Sequence, residues 1–94
     1  MKSIPKHGMR NIVFDPKAFK QFNQWATENK KIYKKIIELI NDILRQPFSG
    51  IGKPEALKHD LKGYWSRRIT DEHRLVYKVT DEEVFIVSCK FHYG

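Results

Sequence analysis

The stretch from Gly52 to Tyr77 (GKPEALKHDLKGYWSRRITDEHRLVY) gathers several kinds of side chain that can act on a phosphate. One carboxylate, Glu55, directly follows a proline, and two histidines lie on either side of the aromatic pair Tyr64 and Trp65. This mixture is typical of a site for a flexible anionic ligand that carries bases, and RNA is the first candidate. The cationic side chains are spread along the whole segment: Lys53, Lys58, Lys62, Arg67, Arg68 and Arg74.

Cleavage of RNA without a metal ion needs three kinds of group around the scissile phosphate. A base takes the proton from a ribose 2′-hydroxyl, cations stabilise charge on the phosphoryl oxygens, and an acid protonates the departing 5′-oxygen. Glu55 fits the base because a carboxylate is ionised at pH 7, and His92 fits the acid. Arg74 fits the cation because a guanidinium grips phosphate through two N–H groups and stays charged. Tyr93 can stack on a base or form a hydrogen bond near the scissile phosphate. Three further cations are candidates for binding the neighbouring phosphates: Lys53, Lys58 and Arg68.

Each of these signals also has an ordinary structural interpretation when it is taken alone. An isolated Glu55 or His92 is usually a surface group, and adjacent arginines such as Arg67 and Arg68 are usually solvated charge. The two histidines of the segment have no carboxylate or cysteine cluster beside them. We therefore expect neither a metal site nor any other cofactor.

Composition limits the chain to one small, basic domain. Its 94 residues carry a formal charge of +7 and an isoelectric point near 9.6, which favours nucleic acid, an acidic membrane or an acidic partner protein. We expect residues 1–9 to form a flexible lead-in and residues 10–94 to form a single folded domain. No apolar run approaches the roughly 20 residues of a membrane span, and the polar N-terminus has no signal-peptide core, so we expect a cytoplasmic location. Cys89 is the only cysteine, which excludes an internal disulfide.

A strand followed by two helices is predicted for the N-terminal half. Asn11 to Phe14 is a short apolar run with β-branched residues, and Asp15 followed by Pro16 favours a helix start. A second helix is predicted from about Lys30 to Gln46, where Pro47 ends it. The apolar face of the first helix has four members: Phe19, Phe22, Trp25 and Ala26. The outward side of the second helix has four polar members: Lys31, Lys34, Lys35 and Asp42.

A loop over residues 48–61 and three strands are predicted for the C-terminal half. The strands cover residues 64–70, 73–79 and 84–92, and short turns make them an antiparallel meander. Together with the first strand they predict an α+β domain, in which two N-terminal helices pack on a four-stranded, mainly antiparallel β-sheet.

Strand alternation then assigns the side chains to the two faces of this sheet. Arg68, Arg74 and His92 are expected on the exposed face, with the loop that carries Glu55 at its rim. The expected core side of the last two strands has these members: Leu75, Tyr77, Val79, Phe85, Val87, Cys89 and Phe91.

The segments GKPEALKH, GYWSRRIT and EHRLVY, followed by a terminal FHY, resemble in this order the signature segments of the YoeB toxins. These belong to the RelE/ParE superfamily of bacterial toxin–antitoxin proteins. The resemblance implies a RelE-like microbial RNase fold and an mRNA endoribonuclease that cuts in the ribosomal A site and stops translation. It also implies a cognate antitoxin of the YefM/Phd type and a homodimer.

The same resemblance implies roles residue by residue. Glu55 corresponds to the general base, Arg74 to the arginine that stabilises the transition state, and the terminal pair His92 and Tyr93 to further catalytic residues. The RNA-binding set implied in this way is completed by the matching positions Lys58, His59 and Arg68. Two departures from the pattern exist: Ala56 stands where the family often has proline, and Gly94 follows the tyrosine that often ends the chain.

Two other classes of function remain open at this point. One is a non-catalytic module that binds RNA or the ribosome and inhibits translation, which would tolerate loss of Glu55 and His92 but not of its basic residues. The other is a toxin of the same superfamily with a different target, as the ParE branch has in DNA gyrase. The combination of Glu55, Arg74 and His92 argues against this second alternative, because a gyrase poison needs no acid and base.

Overall fold

The computed structural model describes residues 9–91 and begins with the predicted strand and helical hairpin. Strand β1 (Asn11–Phe14) is followed by helix α1 (Pro16–Glu28) and helix α2 (Lys30–Arg45). Asp15 caps α1, since its carboxylate accepts a hydrogen bond from the amide of Lys17 at 3.0 Å. Asn29 ends α1 and caps α2 by accepting from the Ile32 amide at 3.2 Å. The three N-terminal elements are therefore confirmed to within about one residue.

The sheet has five strands rather than the four predicted. In chain order the other strands are β2 (Glu55–Ala56), β3 (Trp65–Arg68), β4 (Arg74–Val79) and β5 (Glu83–Ser88). Their order across the sheet is β1-β5-β4-β3-β2, with β1 parallel to β5 and every other pair antiparallel. The α+β class is confirmed. The additional strand, β2, is only two residues long and lies inside the segment predicted as a loop, where it is too short to show alternation.

Both helices pack on one face of the sheet and form the core there. The buried apolar side chains come from α1, from α2 and from the inner face of the sheet: Ala18, Trp25, Ile36, Leu39, Ile43, Leu75, Tyr77, Val84, Ile86 and Cys89. Phe19 was expected in this set but is 56% exposed. The buried stripe of α1 runs through Ala18, Phe22 and Trp25, at spacings of four and three, so Phe19 lies at its margin.

The face assignment of β5 was wrong. Val84 and Ile86 are fully buried, whereas Phe85 and Val87 are only partly buried. The pairing explains the difference, because Tyr77 of β4 pairs with Ile86 while its neighbour Val76 pairs with Ser88. Val87 is thus the extra residue of a β-bulge, which shifts the alternation of the strand by one. Phe91, also expected in the core, is 55% exposed.

Arg67 and Asp42 are both buried. Asp42 was expected on the outward side of the second helix, whereas strand alternation puts Arg67 on the core side with Ile69, although its charge taken alone suggests solvent. Arg67 is 0% exposed and Asp42 is 3% exposed. The two side chains form an ion pair with Arg67 Nη1 2.6 Å from Asp42 Oδ2. The guanidinium also donates to Tyr77 Oη and to the carbonyl oxygens of three loop residues: Gln46, Ser49 and Ile51. These five bonds equal the number of N–H donors on an arginine side chain, so the buried charge is fully hydrogen-bonded.

Candidate active site

The face of the sheet that the helices leave uncovered carries Glu55. We call it the open face. Glu55 of β2 pairs with Ser66 of β3, Ser66 pairs with Val76 of β4, and Val76 pairs with Ser88 of β5. Residues directly opposite each other in paired strands project to the same side. Glu55 therefore stands at the outer end of a row across four strands, on the edge strand, where it is exposed.

Arg68 and Arg74 face each other in the next row of the open face. They are direct partners in the β3–β4 ladder, two residues along β3 from the partner of Glu55. Opposite neighbours of like charge destabilise a sheet by roughly 0.2–1 kcal/mol. Arg68 lies 3.7 Å from the fully exposed Asp71 carboxylate, a surface pair that offsets little of this repulsion. A bound anion is the counter-charge that would favour such a pair.

The guanidinium of Arg74 is held at one end only. Its Nη1 donates to the carbonyl oxygens of Thr70 at 2.6 Å, His73 at 3.1 Å and Asp71 at 3.2 Å. All three bonds use the same nitrogen, so none of them engages the edge formed by Nε and Nη2. That edge is the one that grips a phosphate in a two-pronged way.

The loop before Glu55 is fixed from below by the buried Arg67 and by Gly52. Gly52 has a φ of +79°, and its carbonyl oxygen accepts from the amide of Arg68 at 2.6 Å. A Cβ at this position would lie 2.8 Å from Leu39 Cδ2, so only glycine fits here without a shift. After the short strand, the amide of the buried Leu57 donates to Tyr64 O at 2.9 Å. Glu55 therefore lies between two backbone positions, Gly52 and Leu57, that are both hydrogen-bonded to neighbouring segments.

Left-handed backbone conformations occur at the candidate site. Lys53, His59 and Phe91 have φ values of 51°, 57° and 62°, and they are the non-glycine residues of positive φ within residues 9–91. Two of them bracket Glu55 and the third directly precedes His92. Such conformations cost on the order of 1–3 kcal/mol each and cluster at functional sites.

The predicted RNA-binding side chains surround this region. Lys53, Lys58 and His59 are exposed. A surface depression of about 310 Å³ is lined by the segment from Glu55 to His59. Arg68 is the member of the predicted set that the pairing brings beside Arg74. We call these four exposed residues the basic margin of the site: Lys53, Lys58, His59 and Arg68.

Two predicted catalytic residues, His92 and Tyr93, lie outside the residues that the structure describes. The last described residue, Phe91, has its carbonyl oxygen 3.1 Å from the amide nitrogen of Arg74. The carbonyl group that is covalently joined to His92 therefore lies against β4, next to Arg74.

Sequence reasoning missed two residues near the site. Ser66, 2% exposed, lies opposite Glu55, and His73, 6% exposed, accepts a hydrogen bond from the Phe91 amide through Nδ1 at 2.8 Å. Strand alternation places Ser66 on the same face as Arg68, but it does not indicate that Ser66 pairs with Glu55. The contact between His73 and Phe91 has no sequence signal.

Other reactive groups are unsuited to chemistry at this site. Burial raises the pKa of the Cys89 thiol to about 12, with Lys90 opposing the rise, so the thiolate is scarce at neutral pH. Within residues 9–91 no group of three or more His, Cys, Asp or Glu side chains is placed to hold a metal ion. No helix in the same range has the length and apolar character needed to cross a membrane.

Comparison with known proteins identifies the family. The sequence model of the YoeB-like toxin of bacterial type II toxin–antitoxin systems matches residues 14–93. Toxin YoeB of Mycobacterium bovis is 52% identical over 85 residues, which cover 90% of this chain and 100% of the relative. The solved YoeB dimer of Staphylococcus aureus superposes with a TM-score of 0.84 at 52% identity, covering 89% of this chain and 98% of that one. The heterotetrameric YoeB–YefM complex of the same organism gives a TM-score of 0.83 at 52% identity, with the same coverage. This chain therefore belongs to the family of YoeB-like toxins of bacterial type II toxin–antitoxin systems.

Proposed function

We propose that this toxin is a ribosome-dependent endoribonuclease that cleaves mRNA in the ribosomal A site and so inhibits translation. The observation that carries the proposal is the pairing of Arg68 with Arg74 on the face that also bears Glu55. Glu55 and Arg74 are separated by two strand spacings and two residues, so their Cα atoms are about 12 Å apart. Two side chains that project from the same face at this distance can contact one phosphodiester group from opposite sides.

The proposed cleavage step uses Glu55 as the base and His92 as the acid. Glu55 takes the proton of the ribose 2′-hydroxyl, and the 2′-oxygen forms a bond to the adjacent phosphorus. The bond from phosphorus to the 5′-oxygen breaks, and His92 gives that oxygen a proton. The products are a 2′,3′-cyclic phosphate and a 5′-hydroxyl end, and no water is consumed. Arg74 and Arg68 stabilise the charge on the non-bridging oxygens, which is the largest single effect in many enzymes of this kind.

Substrate binding is assigned to the basic margin of the site. Lys53, Lys58, His59 and Arg68 contact phosphates on either side of the cleaved bond, and Tyr93 stacks on a base or hydrogen-bonds near the scissile phosphate. The net charge of +7 attracts RNA without sequence information. Any preference for particular nucleotides at the cleavage site is therefore set by the ribosome and by stacking rather than by these cations.

The partners proposed for this chain are those of its staphylococcal relative. That protein forms a dimer, and in another structure it is bound to YefM as a heterotetramer. At 52% identity over 89% of the chain, we propose that this toxin likewise forms a homodimer and binds a cognate antitoxin of the YefM/Phd type. Co-expression with the antitoxin encoded beside it, followed by light scattering of the purified proteins, measures both states.

Primer extension in a purified translation reaction tests the proposed activity. The wild type is compared with Glu55→Gln, with and without ribosomes. Glu38→Gln is the matched control, since Glu38 is 62% exposed on α2, in the layer away from the open face. Loss of a positioned base lowers the rate by about 10²–10⁴-fold, so Glu55→Gln is expected to cut that much more slowly and Glu38→Gln as the wild type does. A wild type that blocks translation without making new 5′ ends would contradict the nuclease proposal and indicate an occluding ribosome binder.

A further inference from the structure

The backbone of the last described segment, Cys89 to Phe91, is held by hydrogen bonds at both ends. The Cys89 amide donates to Gln21 Oε1 at 2.8 Å, and its carbonyl oxygen accepts from Trp25 Nε1 at 2.9 Å. The Phe91 amide donates to His73 Nδ1 at 2.8 Å. Side chains of α1 and of the turn before β4 thus fix the chain directly before His92.

The side chain between these two backbone anchors is held less directly. Lys90 Nζ lies 3.5 Å from Gln24 Oε1 and 3.7 Å from Glu28 Oε1. It also lies over the ring of Trp25, 5.1 Å from the centroid. These contacts hold only the Lys90 side chain, whereas the backbone of the segment is held by Gln21, Trp25 and His73.

His73 is built to accept rather than to donate at Nδ1. A backbone N–H is always a donor, so the Nδ1 atom that faces Phe91 carries no proton, and in the neutral ring the proton is on Nε2. Nε2 lies 3.6 Å from Glu72 Oε1. The ring packs edge-on against Trp25 at 4.8 Å and tilted against Phe91 at 5.4 Å.

The other charged groups around His73 come from both elements packed against it. The Arg74 guanidinium donates to the His73 carbonyl oxygen at 3.1 Å. Lys90 lies over the Phe91 ring at 5.6 Å and pairs with Glu28 of α1. None of these groups replaces Nδ1 as the acceptor for the Phe91 amide.

We propose that His73 is a positioning residue for the nuclease site. Its Nδ1 accepts a hydrogen bond from the Phe91 amide and so fixes the backbone, next to Arg74, that leads into His92 and Tyr93. The Phe91 carbonyl oxygen accepts from the Arg74 amide, so His73 and the Arg74 backbone hold the two sides of the same residue. Phe91 is left-handed at φ 62°, a conformation that persists only where surrounding contacts over-determine it. The role assigned to His73 rests on the proposed nuclease function, because it concerns the delivery of the general acid.

Two substitutions at His73 separate positioning from packing. His73→Asn keeps an acceptor oxygen near the place of Nδ1, whereas His73→Leu fills similar space without an acceptor. Amide hydrogen exchange of Phe91, followed by NMR in the full-length protein, measures the strength of this hydrogen bond independently of cleavage. His73→Leu is expected to exchange at least about fivefold faster, the usual worth of one hydrogen bond, and His73→Asn to stay near the wild type.

Single-turnover cleavage on programmed ribosomes measures how the loss of this hydrogen bond affects the rate of cleavage. His73→Leu is expected to lower the rate constant at saturating ribosome by about 10²-fold, as a misplaced catalytic group does, with unchanged affinity for the ribosome. His73→Asn is expected to restore most of it. Equal rates and equal Phe91 exchange in the Leu variant and the wild type would overturn the inference, as would an Asn variant no better than Leu.

A second pair of variants covers the case in which His73→Leu does not fold. Gln21→Met removes the acceptor of the Cys89 amide, whereas Gln24→Met removes only a contact to the Lys90 side chain. Slower cleavage and faster Phe91 exchange in Gln21→Met alone would support backbone positioning, and equal behaviour of the two variants would overturn it. If the wild type does not cleave RNA, the nuclease proposal fails, while Phe91 exchange still decides whether the anchor exists.

Discussion

Arg67 of β3 and Asp42 of α2 form a buried ion pair, with 2.6 Å between Nη1 and Oδ2, directly beneath the loop that leads to Glu55. The same guanidinium bonds to the carbonyl oxygens of Gln46, Ser49 and Ile51. The Arg67 guanidinium, which is fully buried, therefore connects helix α2, the sheet and the loop. Its neighbour in sequence, Arg68, lies on the open face.

Removing one member of this pair is expected to destabilise the protein strongly. Asp42→Asn leaves the Arg67 charge buried without its counter-ion, and breaking a buried pair in this way costs about 3–5 kcal/mol. Urea unfolding followed by circular dichroism measures the loss. The surface pair of Lys35 and Glu38, at 3.4 Å, is the control, because Glu38→Gln should change the free energy of unfolding by less than about 1 kcal/mol. Equal effects of the two substitutions would contradict this account of the core.

The stability of the fold is expected to fall in acid because of Asp42. Burial raises the pKa of this carboxyl, but hydrogen bonds from its neighbours outweigh burial and hold the pKa well below its usual range. A carboxyl with a lowered pKa in the folded state contributes stability that is complete above its unfolded pKa of about 3.8 and is lost as the pH falls toward the folded value. The donors are Arg67, Gln46, the amide of Ile51 and Arg45.

The free energy of unfolding measured between pH 7 and pH 2 tests this expectation. The wild type should lose stability steadily below about pH 4, whereas Asp42→Asn, which starts less stable, should show a shallower acid decline. The same acid slope in both proteins would mean that other carboxylates control the acid transition.

Gly52 and Gly63 form a matched pair for testing how the Glu55 loop is held. Both have positive φ, +79° and +96°, but a Cβ would lie 2.8 Å from Leu39 Cδ2 at Gly52 and would meet nothing within 4 Å at Gly63. Each alanine pays about 1–2 kcal/mol for the left-handed backbone, and Gly52→Ala adds an overpacking cost of about 1–3 kcal/mol. Gly52→Ala should also slow cleavage, because the Gly52 carbonyl oxygen bonds the Arg68 amide. Similar losses in the two variants, measured by urea unfolding and single-turnover cleavage, would argue against a fixed loop.

Neutralising Arg68 is expected to separate stability from activity. Because Arg68 faces Arg74 across the ladder, Arg68→Gln should leave the free energy of unfolding unchanged or raise it by up to about 1 kcal/mol. Cleavage should fall by at least about tenfold, since a phosphate contact is lost. Lys20→Gln on the exposed side of α1 removes the same charge and should alter neither quantity. A marked loss of stability in Arg68→Gln would show that the arginine serves the fold rather than an anion.

Local chemistry made the helices predictable from the sequence. Asp15 and Pro16 signal the start of the first helix and Pro47 the end of the second, and the structure has both helix ends close to these signals. Alternation also predicted that Arg68 and Arg74 share a face, because neither strand is irregular between Ser66 and Arg68. These features depend on neighbours close in sequence.

The features that sequence reasoning missed depend on distant partners. The bulge at Val87 is decided by how β5 pairs with β4, and nothing in the run from Val84 to Cys89 marks it. Arg67 is buried because its acceptors, which lie 10 to 25 residues away, converge on it. His73 owes its acceptor role to Phe91, 18 residues later. Long-range pairing of this kind leaves no periodic signal in one sequence.

The most direct test of the proposed mechanism is to remove a single atom, the 2′-oxygen, from the substrate. An mRNA carrying a 2′-deoxynucleotide at the position of the cut is presented on the ribosome to the wild-type toxin, beside an mRNA that carries the same change one nucleotide downstream. The proposed attack by the 2′-oxygen predicts no cleavage of the first RNA, normal cleavage of the second, and a 2′,3′-cyclic phosphate on the product. Normal cleavage of the first RNA would show that another nucleophile attacks the phosphate, and the role assigned to Glu55 would be wrong.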